Sequence, residues 1–174
     1  MANIGQPSEE TPIMPLIRSA THADIPAIVT LNAAFVDMTS PMDADRCRHL
    51  MSLAAWSLMA ENDGEVVGFV FAMRDGARYD NGNFAWFSER LQDFVYIDRV
   101  VVGDRGRGQG LGQRLYDAIC DAARPAGCRT MAAEMNVAPP NIASLNFHKA
   151  RGFRELGTRI LEKGVTVSMQ AADI

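Results

Sequence analysis

The segment from Val100 to Gly112 constrains the fold of this chain more than any other part of the sequence. It begins with an apolar run typical of a buried strand and passes through a turn rich in glycine and arginine. It then continues into an amphipathic stretch, Gln113 to Arg124. In a strand–loop–helix unit of this kind, backbone N–H groups and the positive end of the helix dipole meet at one place, and glycines let an anion come close. The segment therefore predicts a site for a phosphate-bearing ligand.

The spacing of the glycines in this turn distinguishes three loop motifs. A P-loop requires Gly-Lys followed by Ser or Thr after its spacer, and the turn contains no such sequence. The dinucleotide-binding pattern Gly-x-Gly-x-x-Gly does not fit either, because the glycines at positions 106, 108, 110 and 112 alternate. The third pattern, Gln/Arg-x-x-Gly-x-Gly/Ala, is matched by Arg107-Gly108-Gln109-Gly110-Leu111-Gly112. This hexapeptide resembles the acyl-CoA pyrophosphate loop of the GCN5-related N-acetyltransferase (GNAT) family, and the alternative is a flexible basic turn.

A second stretch, from Asn141 to Phe153, resembles the other signature of the same family. That signature contains an asparagine, a small residue three positions later, an aromatic pair and then Gly-Phe, as this stretch does. Its physical chemistry fits a helix, because Pro139-Pro140 ends the preceding strand, Asn141 can cap the helix and Gly152 can end it. The two signatures occur in the order of the family, and the resemblance covers residues 15 to about 168.

The alternation of apolar segments and turns predicts a mixed, mostly antiparallel α/β (α+β) sheet. The resemblance implies six to seven strands flanked by about four helices, with the fourth and fifth strands splayed apart to admit the cofactor. We expect one domain over residues 15–174, preceded by a disordered tail over residues 1–14. The predicted strands cover residues 16–18, 56–60, 65–73, 94–102, 129–137, 153–161 and 165–170, and the predicted helices cover 24–36, 43–53, 108–124 and 141–150.

Composition and charge exclude several classes of protein. A net charge of −4 leaves no general basic field for nucleic acid or for an anionic membrane. No run of 18 apolar residues offers a membrane span, and the first 14 residues lack the basic start and apolar core of a signal peptide, so we expect a cytoplasmic protein. Cys47, Cys120 and Cys128 follow no metal-binding spacing and indicate reduced thiols, so we expect no metal.

The resemblance implies how acetyl-CoA would be bound. Main-chain N–H groups of residues 107–112 would hold its pyrophosphate, and the backbone of Val100 and Val102 would pair with its pantetheine arm. A bulge in that strand would aim an N–H group at the thioester carbonyl and stabilise the oxyanion of the tetrahedral intermediate. Asn141 and Ser144 match family positions that touch the cofactor arm, and the alternative for both is helix capping.

His148 stands where many family members carry a tyrosine whose hydroxyl protonates the departing CoA thiolate. An imidazole can supply this proton near neutral pH, since its unperturbed pKa is about 6.5. The alternative is a histidine that packs on the sheet or contacts CoA without proton transfer, in which case water protonates the thiolate. Tyr116 could replace His148 as the acid, although its place on the helix after the loop favours core packing.

Two carboxylates, Asp98 and Glu134, are candidates to accept the proton of the attacking amine, directly or through water. They are expected on the two strands that flank the cofactor cleft, with Asp98 just before the bulge. The alternative for Asp98 is an ion network with Arg99 or a place at the rim of the sheet. Asn136 shares a face of its strand with Glu134, because side chains alternate, and could hold polar groups of the substrate.

The stretch from Tyr79 to Arg90 is too polar for a strand, yet it contains Phe84, Trp86 and Phe87. Exposed aromatic side chains on a loop often mark recognition, so we expect Phe84 and Trp86 to form a wall or lid of the acceptor pocket. The alternative is an insertion whose aromatic side chains dock on the core or on a partner in a homodimer, since many family members dimerise.

These features predict an acetyl-CoA-dependent N-acetyltransferase that transfers the acetyl group directly to a primary amine of a small acceptor. No cysteine lies in a predicted site motif, which argues against a covalent enzyme intermediate. Within the family, a combination of three segments resembles a bacterial subgroup of unknown substrate: Tyr96-Ile97-Asp98-Arg99, Glu134-Met135-Asn136 and Pro139-Pro140-Asn141. The alternative function is a non-catalytic acyl-CoA-binding sensor, which would keep the glycine loop but lack a working base and acid.

Overall fold

The computed structural model describes residues 14–162 and 164–174, so the predicted tail lies outside the described residues except for Met14. The strands are β1 (Leu16–Ser19), β2 (Trp56–Asn62), β3 (Glu65–Arg74), β4 (Phe94–Val102), β5 (Thr130–Ala138), β6 (Arg154–Ile160) and β7 (Thr166–Asp173). They form one sheet in the order β1-β2-β3-β4-β5-β7-β6. All neighbouring strands are antiparallel except β4 and β5, which are parallel. This confirms the predicted mixed, mostly antiparallel sheet.

In the described part of the chain, five α-helices cover the two faces of this sheet. They are α1 (Ile25–Ala34), α2 (Ala44–Leu53), α3 (Gly82–Ser88), α4 (Leu111–Ala123) and α5 (Ile142–Ala150). Helices α1, α2 and α3 pack on one face, whereas α4 and α5 pack on the other. Only α3 falls where the sequence predicted neither a helix nor a strand.

Strand β3 shows that the sheet is covered on both faces. Phe69, Phe71 and Met73 belong to the core under α1, α2 and α3, whereas Val70 and Ala72 belong to the core under α4. All five side chains are fully buried. A strand buried on both faces reads as a continuous apolar run rather than as an alternating pattern, which is what the sequence of β3 shows.

The parallel strands β4 and β5 stay together for only three residue pairs, from Phe94 opposite Thr130 to Tyr96 opposite Ala132. Beyond these pairs the two strands diverge, which confirms the expected splay at the centre of the sheet. Beyond Tyr96, no described strand pairs with the β5-facing edge of β4. The backbone groups on that edge therefore face an opening.

Candidate active site

The glycine-rich turn links the end of β4 to α4 and brings unpaired backbone amides to one place. Gly108 and Gly110 have φ angles of +74° and +64°, a left-handed conformation that favours glycine. Gly110 is the N-cap of α4, and its carbonyl accepts the helix bond from the N–H of Arg114 at 3.0 Å. The first N–H groups of a helix have no partner within it, so this turn offers donors to an anion.

A Cβ atom added at Gly112 would lie 3.6 Å from Phe147 of α5 and 3.8 Å from Val102 at the end of β4. The start of α4 is therefore enclosed by the two elements that carry the other cofactor residues expected from the sequence. The side chain of Arg107, which could add a charged contact to the pyrophosphate, is exposed and pairs with Asp104 at 3.2 Å.

A cavity of about 950 Å³ opens where β4 and β5 diverge. It brings together side chains that are far apart in the sequence, from both strands and from the helix that follows β5. The residues predicted from the sequence that line it are Asp98, Val100, Glu134, Asn136, Ser144 and His148, together with Tyr116, the alternative acid. Val102, Asn141 and residues 107–112 are not among its lining residues.

Glu134 projects from β5 into this cavity. The hydroxyl of Tyr96 donates a hydrogen bond to its Oε1 atom at 3.0 Å. Its Oε2 atom is buried and has no hydrogen-bond partner within the described part of the chain. Burial raises the pKa of Glu134 to about 7, against the lowering effect of the neighbouring Asn83 and Tyr96 side chains. A carboxylate with this pKa can take up or release a proton near neutral pH.

Asp98 is the second carboxylate in the cavity, and it is held by fixed partners. Its side chain is only 4% exposed, and its Oδ1 atom accepts a hydrogen bond from the hydroxyl of Tyr79 at 2.5 Å. Its Oδ2 atom lies 3.5 Å from Nε of Arg99. Arg99 in turn donates to Oδ1 of Asn32 at 2.7 Å and to Oγ of Ser40 at 2.8 Å. The structure thus shows the alternative arrangement for Asp98, an ion network with Arg99.

A β-bulge explains why the side chains of Asp98 and Arg99 lie on the same side of the sheet. Phe71 pairs with Arg99 and Ala72 pairs with Ile97, so Asp98 is the extra residue of β4. In a regular strand, the side chains of Asp98 and Arg99 would lie on opposite faces. We expected Asp98 to precede the bulge. This was wrong by one residue, because the bulge forms at Asp98 itself.

His148 is buried on α5 and uses both of its ring nitrogens. Its Nδ1 atom lies 2.8 Å from the carbonyl oxygen of Ser144, so Nδ1 must carry the ring proton. Its Nε2 atom therefore accepts a hydrogen bond from the hydroxyl of Tyr116 at 2.9 Å. Burial lowers the pKa of His148 to about 4, so the imidazole is neutral at physiological pH. This arrangement gives little support to the expected role of His148 as the acid that protonates the thiolate.

Asn141 and Ser144 fix the start of α5. Oδ1 of Asn141 accepts a hydrogen bond from the backbone N–H of Ser144 at 3.1 Å, so Asn141 caps the helix. The carbonyl of Asn136 accepts a bond from the N–H of Asn141 at 2.9 Å. Helix capping, the alternative considered for these two positions, is thus present for Asn141, whereas Ser144 also lines the cavity.

The aromatic segment before β4 differs from its expected form. It contains a short helix, α3, whose Phe84 and Phe87 are buried in the core beside Tyr96. Trp86 is half-buried, lies under the guanidinium of Arg90 and packs against Gly157. The expectation of an exposed aromatic loop was therefore wrong, because these side chains dock on the core. Neither Phe84 nor Trp86 lines the cavity.

The same segment nevertheless forms a wall of the cavity through residues that sequence reasoning missed. Tyr79, Asn81, Gly82 and Asn83 line it, immediately before and at the start of α3. Asn81 is the N-cap of this helix, since its Oδ1 accepts hydrogen bonds from the N–H groups of Asn83 and Phe84. An asparagine before an apolar run was the available signal for this helix.

Among residues 14–162 and 164–174, no group of three or more His, Cys, Asp or Glu side chains is arranged to hold a metal ion. Within the same residues, no helix has both the length and the apolar character needed to cross a membrane.

Comparison with known proteins places these features in a family. A sequence model described as the acetyltransferase (GNAT) family matches residues 28–153. An aminoglycoside N(6')-acetyltransferase type 1 from Stenotrophomonas maltophilia is 29% identical over 142 residues, covering 81% of this chain and 87% of that protein. An L-methionine sulfoximine/L-methionine sulfone acetyltransferase from Pseudomonas aeruginosa is 29% identical over 153 residues, covering 81% of each.

Solved structures show the same fold. The structure of yncA from Salmonella typhimurium with its cofactor acetyl-CoA superposes with a TM-score of 0.68 at 22% identity, covering 91% of this chain and 93% of that one. The matched family segment includes the glycine-rich turn, the splayed strands β4 and β5, and α5. The chain therefore belongs to the acetyltransferase (GNAT) family and is an acyltransferase.

Proposed function

We propose that this protein is an N-acetyltransferase that moves the acetyl group of acetyl-CoA directly to the primary amine of a small acceptor. The observation that carries the proposal is the unpartnered, buried Oε2 atom of Glu134 in a cavity between the splayed strands. The curated relatives also favour a small acceptor, since one is named for an aminoglycoside and the other for L-methionine sulfoximine and sulfone.

The fold supports binding of acetyl-CoA along the open edge of β4 and the start of α4. The amides at the start of α4 would bind the diphosphate, with Gly108 and Gly110 leaving room for it to approach the backbone. The unpaired edge of β4 beyond Tyr96 would bind the amide groups of the pantetheine arm as a further strand would. The bulge at Asp98 interrupts the regular ladder and would allow a backbone N–H to reach the thioester oxygen.

In the proposed reaction, the amine nitrogen attacks the thioester carbon, and the carbon–sulfur bond breaks when the tetrahedral intermediate collapses. Glu134 in its carboxylate form accepts the proton that the nitrogen loses, directly or through water. The CoA thiolate then takes a proton from water. His148 and Tyr116 hold each other in position beside this reaction and do not supply the proton.

The test is release of free CoA thiol from acetyl-CoA by the purified full chain. The chain is mixed with a panel of amines that includes amino acids, diamines, amino sugars and short peptides. We expect thiol release that depends on an acceptor, together with an acetylated product identified by mass spectrometry. Binding of acetyl-CoA without turnover of any acceptor would contradict the proposal and favour the sensor function.

A further inference from the structure

Two guanidinium groups in the cavity have no acidic partner among the described residues. Arg46 of α2 and Arg159 of β6 both line it. Within residues 14–162 and 164–174, no carboxylate oxygen lies within 4.0 Å of either guanidinium, whereas most other arginines of the chain form an ion pair. Two unpaired cations in one cavity make it attractive to an anionic group of a ligand.

Both guanidinium groups contact the same short segment of the chain, residues 79–83. The Nη2 atom of Arg46 lies 3.5 Å from the hydroxyl oxygen of Tyr79, with its guanidinium 5.8 Å from the centre of that ring. Arg159 donates a hydrogen bond to the amide oxygen of Asn83, and a Cβ added at Gly82 would lie 2.9 Å from its Nη2 atom. The two cations thus approach one wall of the cavity from different elements.

The same wall also contacts the two carboxylates of the cavity. Tyr79 donates its hydroxyl proton to Asp98, and Asn83 neighbours Glu134. One side chain therefore separates Arg46 from Asp98, and another separates Arg159 from Glu134. Within the described residues, the cavity thus presents two guanidinium groups and an unpartnered carboxylate oxygen around the same wall residues, which suits a ligand that carries both signs of charge.

The mouth of the cavity is lined partly by exposed apolar side chains. Val36, Met38 and Ile160 line it, and these side chains are 37%, 64% and 76% exposed. The carboxylates of Asp37 and Glu162 are also at the mouth and are exposed to solvent. An apolar rim favours an acceptor with an apolar side chain, and solvent screens the two rim charges.

We propose that the acceptor is a zwitterion of the amino-acid type. Its amino group lies beside Glu134, its carboxylate is bound by Arg46 and Arg159, and its apolar side chain points to the rim. This inference rests on the proposed acetyl transfer and specifies its substrate class. Arginine suits this role because its planar fork can form two parallel hydrogen bonds with one carboxylate.

The experiment compares acceptors that differ only at the carboxylate. L-leucine, L-methionine and L-phenylalanine are each paired with their primary amides, and putrescine and kanamycin serve as cationic acceptors without a carboxylate. The amino group of an amide is the less basic one and is more often neutral, so chemistry alone favours the amide. We nevertheless expect kcat/KM to be about 10- to 100-fold higher for at least one free amino acid than for its amide.

Substitutions of the two arginines then test whether the preference for a free carboxylate depends on them. Arg46→Ala and Arg159→Ala are expected to raise KM for the preferred amino acid by about tenfold or more and to leave KM for its amide unchanged. Arg46→Lys should recover part of the loss, because it keeps the charge but not the fork. Arg78→Ala is the matched control, since Arg78 is exposed and does not line the cavity. Thermal unfolding of each variant checks that it is folded.

The possible results separate this inference from the proposed function. Equal or better turnover of the amides, putrescine or kanamycin would overturn the zwitterion while leaving acetyl transfer intact. A preference for the free amino acid that persists in both arginine variants would also overturn it. Absence of thiol release with every acceptor would overturn both proposals.

Discussion

Glu134 is the residue on which the proposed chemistry depends most. We expect Glu134→Gln to lower kcat/KM by about 100- to 10,000-fold, because glutamine cannot accept the proton of the attacking amine. The raised pKa sets the direction of the pH dependence. Below a pH of about 7 the carboxyl is protonated and inactive as a base, so the activity of the wild type should rise as the pH increases through about 7.

The measurement is a pH profile of kcat/KM for the wild type and Glu134→Gln. The step near pH 7 should disappear in the variant, while any step at higher pH that belongs to the acceptor amine remains. Glu89→Gln, a change of an exposed carboxylate on the surface, is the control and should behave as the wild type. A variant that keeps both its activity and the step near pH 7 would remove Glu134 from the mechanism.

His148, unlike Glu134, is expected to stabilise the fold and to have no part in proton transfer. Its neutral ring is bound by Ser144 and Tyr116, so we expect His148→Ala to lower the free energy of unfolding by about 1–3 kcal/mol. The shape of the pH profile should stay the same, because the ring does not titrate in the range where the enzyme works. Chemical denaturation and the pH profile measure the two effects. Loss of a step in the profile would instead support His148 as the proton donor expected from the sequence.

At the scale of elements, the turn before α4 determines cofactor binding. Gly110→Ala places a Cβ in open space but forces a left-handed backbone on alanine, which costs about 1 kcal/mol. The methyl group would also occupy the space through which a diphosphate approaches the amides. We expect the Kd for acetyl-CoA, measured by calorimetry, to rise by about tenfold, since a displaced charge-assisted bond is worth about 1.5–3 kcal/mol.

Gly64→Ala is the matched control for this change. Gly64 has a φ of +78°, and a Cβ there also meets nothing within 4 Å, but it lies in the turn between β2 and β3. Both variants should lose similar stability, and only Gly110→Ala should lose affinity for acetyl-CoA. Equal affinity in the two variants would show that the turn does not contact the cofactor.

The elements that were predicted well from the sequence are those with local signals. The turn before α4 and the cap of α5 follow from glycines and Asn141 at their own positions in the chain. The sequence does not predict helix α3, because its seven residues are too few for a helical period to show and its polar surroundings indicate exposed side chains. Its aromatic residues are buried because the core under α1 and α2 extends to them, which is a tertiary effect.

The candidate site was predicted only in part for the same reason. Asp98, Glu134 and His148 could be placed together because the family resemblance assigns their strands and helix to the cleft. Arg46 and Arg159 come from α2 and β6, which approach the cavity only in the folded chain. Nothing in their local sequence distinguishes them from the other arginines.

At the scale of the whole molecule, Arg99 connects the central strand β4 to α1 and to the segment that follows α1. Its guanidinium is almost fully buried and donates to Asn32 and Ser40 while lying beside Asp98. We expect Arg99→Ala to lower the free energy of unfolding by about 3–5 kcal/mol, because it leaves buried partners without a cation. Arg154→Ala breaks an exposed pair with Asp173 and should cost about 0–1 kcal/mol. Urea denaturation measures both, and similar losses in the two variants would contradict this role of Arg99.

The central claim is that the backbone amides at the start of α4 bind the diphosphate of acetyl-CoA. The most direct test is a calorimetric titration of the full chain with acetyl-CoA and, separately, with S-acetylpantetheine, which lacks the diphosphate and the nucleoside. We expect one-to-one binding of acetyl-CoA and binding of S-acetylpantetheine that is at least about tenfold weaker, because only the former reaches the amides at the start of α4. No binding of acetyl-CoA, or equal affinity for the two compounds, would contradict the claim.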